Sequence, residues 1–239
     1  MALVGALGRT SGVGEDVGTI AGIGPRDVRL TTRVDDIVRL HPDVLVDFTP
    51  GAAAIATARL VVAAGISPVI GGTGMSAGDI EELRTLCAAR SVGAILAPNF
   101  ALGAVLMIEF ARQAARYFPH VEIIERHHDK KRDAPSGTAV KTAQVIAAVR
   151  GAAPVPPVKE EESIAGARGG RADGIAVHSL RLPGSVAHQE VLFGGPGQTL
   201  TLKHDSVSEE SFMPGLLLAV RRVRTLPGLV YGLEKLLDL

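Results

Sequence analysis

Val44-Leu45-Val46-Asp47-Phe48, then Ser67-Pro68-Val69-Ile70 closing on Gly71-Gly72-Thr73-Gly74, then Val92 to Ala97 before Pro98-Asn99-Phe100, are three short apolar runs that each end in a turn. Runs this apolar and this short suit strands covered on both faces, not half-solvated ones. Between them lie segments of helical length: Ala52 to Ala64, stopped by Gly65, and Ala77 to Ala89, with Glu81, Glu82 and Arg84 on one side. A helix over Gly103 to Tyr117 follows. Strands alternating with such helices predict a parallel sheet with right-handed crossovers, the doubly wound α/β class that binds dinucleotides at the carboxyl ends of its strands.

Beyond Tyr117 the pattern changes. Val121 to Ile124 reads as a strand running into Glu125-Arg126-His127-His128, and Gly137 to Val149 as a helix. Residues 151 to 174, rich in proline, glycine and mixed charge, read as one long loop. Three closely spaced strands follow, Ile175 to Leu182, His188 to Phe193 and Thr199 to His204, separated by Pro183-Gly184 and Gly194-Gly195-Pro196-Gly197. They predict a mixed or antiparallel sheet in a second, α+β domain. Helical segments around Phe212 to Val223 and Leu233 to Leu237 close the chain. The expected division is a dinucleotide-binding domain over 1–100 and 210–239 and a substrate-binding, oligomer-forming domain over 101–209.

Composition narrows the function. Lys+Arg and Asp+Glu number 25 each, so no overall field draws the protein toward nucleic acid or anionic lipid. Six Phe, two Tyr and no Trp leave few rings for stacking on single-stranded bases. The one cysteine, Cys87, excludes an intramolecular disulfide and a multi-cysteine metal site, and fits a reducing cytoplasm. No apolar run approaches the roughly 18 to 20 residues of a membrane span, and the first residues lack a signal-peptide pattern. Glycine is in excess at 28 of 239 residues, clustered between apolar runs.

The stretch that carries chemistry is His127-His128-Asp129-Lys130-Lys131-Arg132-Asp133-Ala134-Pro135-Ser136-Gly137-Thr138-Ala139. It sets two imidazoles and several cations at a strand end, then Ser-Gly-Thr at the first turn of a helix. Backbone N–H groups at a helix start have no intrahelical partner and carry the positive end of the dipole, so a carboxylate can sit there. Neighbouring His and Lys side chains add positive charge and can exchange a proton. The plainer reading is a serine-capped helix preceded by polar loop residues.

This motif resembles the signature of the 4-hydroxy-tetrahydrodipicolinate reductase family, formerly dihydrodipicolinate reductase, of the diaminopimelate route to lysine. The likeness continues through Val46-Asp47-Phe48-Thr49, Gly71-Gly72-Thr73-Gly74, Ala97-Pro98-Asn99-Phe100, Gly197 to Thr201, His204-Asp205-Ser206 and Glu209 to Gly215, in the family's order. The resemblance implies an NADPH- or NADH-dependent oxidoreductase acting on a small dicarboxylate, cytoplasmic and homotetrameric, with no metal, nucleic-acid or membrane partner. It implies that His127 is the acid/base group, Lys131 the proton donor, His128 a substrate contact, and Gly137 and Thr138 the carboxylate site. Gly71, Gly72 and Thr73, with Ala97, Pro98, Asn99 and Phe100, would flank the nicotinamide. The family more often has Thr where this chain has Gly72. An aspartate dehydrogenase-like enzyme and a non-catalytic, truncated dicarboxylate-binding remnant are the alternatives.

The start of the chain departs from the family. A strand and a Gly-x-x-Gly-Arg-x-Gly loop opening a helix are expected there to cradle the pyrophosphate. Gly5-Ala6-Leu7-Gly8-Arg9 matches in part, but the 38 residues between Gly8 and Asp47 are too few for the helices and strand that should follow. A better alignment makes Leu3 to Leu7 the family's second strand and Gly12 to Pro25 the glycine-rich segment after it. It omits the first strand, the phosphate loop and the first helix, which would leave backbone unpaired in the sheet. Arg9 then sits where the adenosine ribose binds and favours a 2′-phosphate, hence NADPH, while an exposed Arg in a flexible loop is an equally good account.

Overall fold

The structure, a computed structural model, describes residues 1–151, 161–237 and 239. The chain forms two units, Met1–Pro98 with Leu216–Leu239, and Asn99–Gly215.

In the first unit, β3 (Val44–Asp47), β4 (Ser67–Ile70), β5 (Ala94–Leu96) and β11 (Leu229–Tyr231) make a four-stranded parallel sheet in the order β11-β5-β4-β3. All four residues of β4 and all three of β5 are buried, as the uninterrupted apolar runs require of central parallel strands. Crossover helices α3 (Gly51–Ala63) and α4 (Ala77–Arg90) pack on each other and bury Ala54, Ile55, Ala58, Val62, Leu83 and Cys87 with Ile70 and Leu96. A capping box starts α4, in which Ser76 Oγ accepts from Asp79 N and the Asp79 carboxylate accepts from Ser76 N, both at 3.1 Å. Burial pushes the Cys87 thiol up to about 11, so it is a packing residue. The strand β11 falls between the two helical segments expected at the end of the chain. Its three residues lie between Gly228 and Gly232, too short a run to stand out in sequence.

The N-terminal residues form a separate parallel pair, β1 (Ala6–Leu7) with β2 (Leu30–Thr31). No ladder joins this pair to the four-stranded sheet among the described residues. Between them the chain makes a turn with Gly12 and Gly14 at positive φ and the four-residue α1 (Val17–Ile20), with no long helix. The loop is organised by Asp16, whose carboxylate accepts from the N–H groups of Gly18, Thr19, Arg26 and Val28. The strand expected over Leu3 to Leu7 is therefore confined to its last two residues. Helix α2 (Val34–Arg39) leads on to β3.

The second unit is a five-stranded mixed sheet, β10-β9-β6-β8-β7, formed by β6 (His120–His127), β7 (Gly170–Ala172), β8 (Ile175–Arg181), β9 (Ala187–Gly195) and β10 (Gln198–Ser206). Only β6 and β8 run parallel; the other neighbours are antiparallel. Helices α5 (Leu102–Ala114) and α6 (Gly137–Arg150) cover one face. Met107 and Ala111 of α5 and Ala139, Ala143 and Ile146 of α6 meet Val121, Ile123, Val177, Val191 and Phe193 of the strands. The alternation along β6 fixes this face, because side chains two apart point the same way. By that parity Glu125 and His127 also point inward.

Three sequence expectations change here. The stretch 151–174 is not a single loop, since Gly170–Ala172 forms β7 and turns through Asp173-Gly174, both at positive φ, into β8. Residues 152–160 of that expected loop lie outside the described residues. Strand β6 also runs three residues further than expected, so His127 is a strand residue. Helix α7 (Met213–Arg222) returns the chain to the first unit, and a short 3₁₀ turn at Leu233–Leu236 stands where a helix was expected.

Candidate active site

In the first unit the candidate cofactor loops follow the carboxyl ends of adjacent parallel strands, where open α/β sheets bind ligands. Asp47, buried at the end of β3, accepts a hydrogen bond from Thr49 N at 2.7 Å and bends the chain toward α3. The loop after β4 lies directly against this bend. Gly71 N donates to Asp47 O at 2.8 Å, and Gly51 N donates to Thr73 O at 2.9 Å. A Cβ on Gly72 would lie 2.0 Å from Thr49 O, so this backbone admits only glycine there. Thr73 and Gly74 are exposed. After β5, Ala97 N donates to Ile70 O at 2.9 Å. Ala97 and Phe100 are buried, Pro98 is exposed, and Asn99 Oδ1 accepts from Ala101 N at 2.8 Å. Gly71 and the exposed Thr73 lie at the carboxyl edge of the sheet, whereas Gly72 and Ala97 are buried, and the absence of a Cβ on Gly72 makes room for Thr49 O. Arg9 is exposed in the turn after β1 and makes no ion pair among the described residues.

In the second unit the predicted substrate residues lie on β6, on the loop after it and at the start of α6. Ser136 caps α6, its Oγ accepting from Ala139 N at 3.2 Å. The N–H groups of Gly137 and Thr138 have no intrahelical partner by position, and a Cβ on Gly137 would meet nothing within 4 Å. That open, positively polarised first turn fits a carboxylate. His128 is exposed just beyond β6. Lys131 is mostly covered, and Asp133 holds its Nζ at 2.7 and 2.9 Å. This pairing keeps the Asp133 carboxyl below its usual range.

Sequence reasoning missed the residues beneath this surface. Glu125, with no solvent exposure, sits between His127, Arg181 and the α6 cap. Its Oε2 lies 2.6 Å from His127 Nδ1 and 2.9 Å from Arg181 Nη1, and its Oε1 accepts from Arg181 Nη2 at 2.8 Å and Ser136 N at 3.2 Å. Arg181 Nη2 also donates to Asp133 O at 2.7 Å. Burial is the strongest influence on Glu125 and would raise its pKa, but hydrogen bonds with Arg181, Ser179 and His127 outweigh it and hold the acid below its usual range. For His127, burial again leads and pushes the imidazole down. The Glu125 hydrogen bond and charge pull it up, while Lys131 and Arg181 push it down, leaving it below its usual value. The available signal was the parity of β6, which puts Glu125 in line with Val121 and Ile123. Among the described residues no group of three or more His, Cys, Asp or Glu side chains could hold a metal.

A parallel doubly wound unit with glycine-built strand ends, joined in one chain to a mixed-sheet unit carrying a histidine, a lysine and an open helix start, is the construction of an NAD(P)H-dependent oxidoreductase. Comparison with known proteins specifies which one. The family models for dihydrodipicolinate reductase match, the N-terminal part at residues 1–100 and the C-terminal part at 103–237. The chain is 56% identical over 239 residues to the 4-hydroxy-tetrahydrodipicolinate reductase of Moorella thermoacetica, covering 100% of this chain and 89% of that protein. It is 49% identical over 240 residues to the enzyme of Desulfitobacterium hafniense, covering 100% and 90%. Among solved structures it is similar to dipicolinate-bound dihydrodipicolinate reductase from Paenisporosarcina sp. TG-14, with a TM-score of 0.88, 44% identity, and 99% and 90% of the two chains covered. An amine dehydrogenase from Mycobacterium smegmatis shares the fold at 16% identity and a TM-score of 0.64. The chain belongs to the dihydrodipicolinate reductase family. That membership favours the reductase over the aspartate dehydrogenase-like alternative.

Proposed function

We propose that this protein reduces 4-hydroxy-tetrahydrodipicolinate with NADPH or NADH and one proton, giving tetrahydrodipicolinate, water and the oxidised nucleotide. The observation that carries the reading is the open first turn of α6 in the same sequence motif as His127 and Lys131. The dipicolinate named in the similar solved structure is a dicarboxylate of the class this turn suits.

The bound nicotinamide supplies the hydride; the chain's residues do the rest. Gly71, Gly72 and Thr73 offer backbone to the nicotinamide ring, with Ala97, Pro98, Asn99 and Phe100 shaping the neighbouring strand end. Gly137 and Thr138 hold one substrate carboxylate through their N–H groups and the Thr138 hydroxyl, and His128 adds a polar contact at the surface. Lys131 Nζ neutralises the negative charge that develops on the substrate and supplies a proton, while His127 exchanges a proton as acid and base. Arg9, with no acidic neighbour, favours the 2′-phosphate of NADPH. No described helix is long and apolar enough to cross a membrane. We place the enzyme in the cytoplasm as a homotetramer, its contacts made by the strand face opposite α5 and α6.

The test is dicarboxylate-dependent NADPH oxidation. His127→Gln and Lys131→Ala should each lower turnover by about 10²-fold or more. Wild-type rates in both variants would remove these residues from the mechanism. Sedimentation at several concentrations checks the tetramer.

A further inference from the structure

Among the described residues Glu125 is the one acidic side chain with no exposed surface. A buried carboxylate persists only where partners offset its lost hydration. Here donors from three separate elements do so: His127 on β6 itself, both Nη atoms of Arg181 and the Ser179 hydroxyl on β8, and the Ser136 N–H at the start of α6. An ionised carboxylate can only accept hydrogen bonds, so in the 2.6 Å contact the proton lies on His127 Nδ1.

We propose that Glu125 is the positioning residue for His127, fixing the imidazole as its Nδ1–H tautomer so that Nε2 is the ring atom that exchanges the substrate proton. The proposal rests on the reading of His127 as the acid/base group. The same carboxylate ties the motif together. Arg181, gripped by Glu125, donates to the Asp133 carbonyl, and the Asp133 carboxylate holds Lys131 Nζ. One chain of contacts therefore runs from the first turn of α6 through Glu125 and Arg181 to the lysine. An imidazole free to adopt either tautomer would present Nε2–H for part of the time and could not accept a proton there.

The charged groups acting on His127 are Glu125 on its own strand, Arg181 on β8, and Lys131 with its partner Asp133 on the following loop; its β9 neighbour is the uncharged Ala187. Lys131 and Arg181 oppose its protonation, and Glu125, in direct contact, supports it. Removing the Glu125 charge must therefore make the imidazolium less stable.

The experiment is ring-nitrogen NMR of ¹⁵N-histidine-labelled protein between about pH 5 and 9, without substrate or nucleotide, with His127 assigned by its loss in His127→Gln. Wild type should show Nδ1 protonated and Nε2 bare in the neutral form. Glu125→Gln should lose that preference and titrate at lower pH, and Glu125→Asp should retain it. In turnover, Glu125→Gln should lower kcat by about 10²-fold with KM changed less than about threefold, and shift the acid limb of the pH profile to lower pH. A wild-type His127 found as the Nε2–H tautomer overturns the proposal even if Glu125→Gln fails to fold. So does a Glu125→Gln protein with unaltered tautomer and midpoint. Because the spectra need no substrate, a correct tautomer in a protein without reductase activity would count against the function and not against the positioning.

Discussion

The two units hold their candidate ligand loops in opposite ways. In the first, the loops after β3 and β4 are locked by main chain against main chain, through Gly71 N to Asp47 O, Gly51 N to Thr73 O, and a gap at Gly72 too narrow for any Cβ. In the second, the loop after β6 and the start of α6 are locked by a buried carboxylate and a guanidinium. On the proposed function, the difference matches what each loop would meet. A flat, largely uncharged ring is best approached by bare backbone. A dicarboxylate and a moving proton call for fixed charges, and charges far from water must be held by other charges.

The sharpest way to break this comparison is to add one carbon to each glycine. Gly72→Ala puts a methyl group 2.0 Å from a backbone oxygen that has no rotamer to move, and should cost about 3 kcal/mol in urea unfolding while raising the KM for the nucleotide. Gly137→Ala meets open space in the first turn of a helix, so stability should hold or improve by up to about 1 kcal/mol while the KM for the dicarboxylate rises. Equal destabilisation by the two would mean that the first unit's loops are no more tightly built than the second's.

A second, smaller effect uses protons. His127 and His204 both lie in the second unit, and burial holds each below the ordinary value of 6.5. The unfolded chain then takes up protons that the folded chain refuses, so stability falls as the pH drops below 6.5 toward the folded-state values. The lowered acids of the first unit, Asp16 and Asp79, start from 3.8 and lose their contribution only at far lower pH. Hydrogen exchange at about pH 7 and pH 5.5 should show β6, β9 and α6 losing protection while β4 and β5 keep theirs. Uniform loss across both sheets would contradict the division of labour.

The same contrast explains what could be read from sequence. Backbone-built loops announce themselves: the run Ser67 to Ile70 closing on Gly71-Gly72-Thr73-Gly74 matches β4 and its loop residue for residue. The serine caps at Ser76 and Ser136 are equally local, since capping depends on residues three apart. The Glu125–Arg181 pair is not local; its members are 56 residues apart and meet only when β6 and β8 align. A glutamate in a strand reads as solvent-facing by default, and only the inward parity shared with Val121 and Ile123 argues otherwise. The β7–β8 hairpin was legible in Asp173-Gly174, a dipeptide suited to two positive-φ positions, but the charge around it reads as loop. The pairing of β1 with β2 apart from the main sheet, and the edge strand β11, depend on contacts that no short window contains.

The smallest expected effect asks whether every buried polar group near Glu125 serves the site. Gln189 lies directly across from Glu125 in the β6–β9 ladder and is nearly as buried. It donates from Nε2 to Thr142 Oγ1 at 2.8 Å, yet its Oε1 has no hydrogen-bond partner among the described residues. Thr142 already donates to Thr138 O at 2.8 Å, so the hydroxyl stays anchored to α6 without the glutamine. Gln189→Leu gives up one neutral hydrogen bond and also removes an unpaired buried acceptor, so the two changes should nearly cancel, leaving stability within about 1 kcal/mol of wild type. Since Gln189 touches neither His127 nor Arg181 through a hydrogen bond, kcat and the His127 tautomer should be unchanged. A large loss of turnover with retained stability would extend the fixed-charge network to β9 and make the second unit's site larger than the strand, loop and helix start described above.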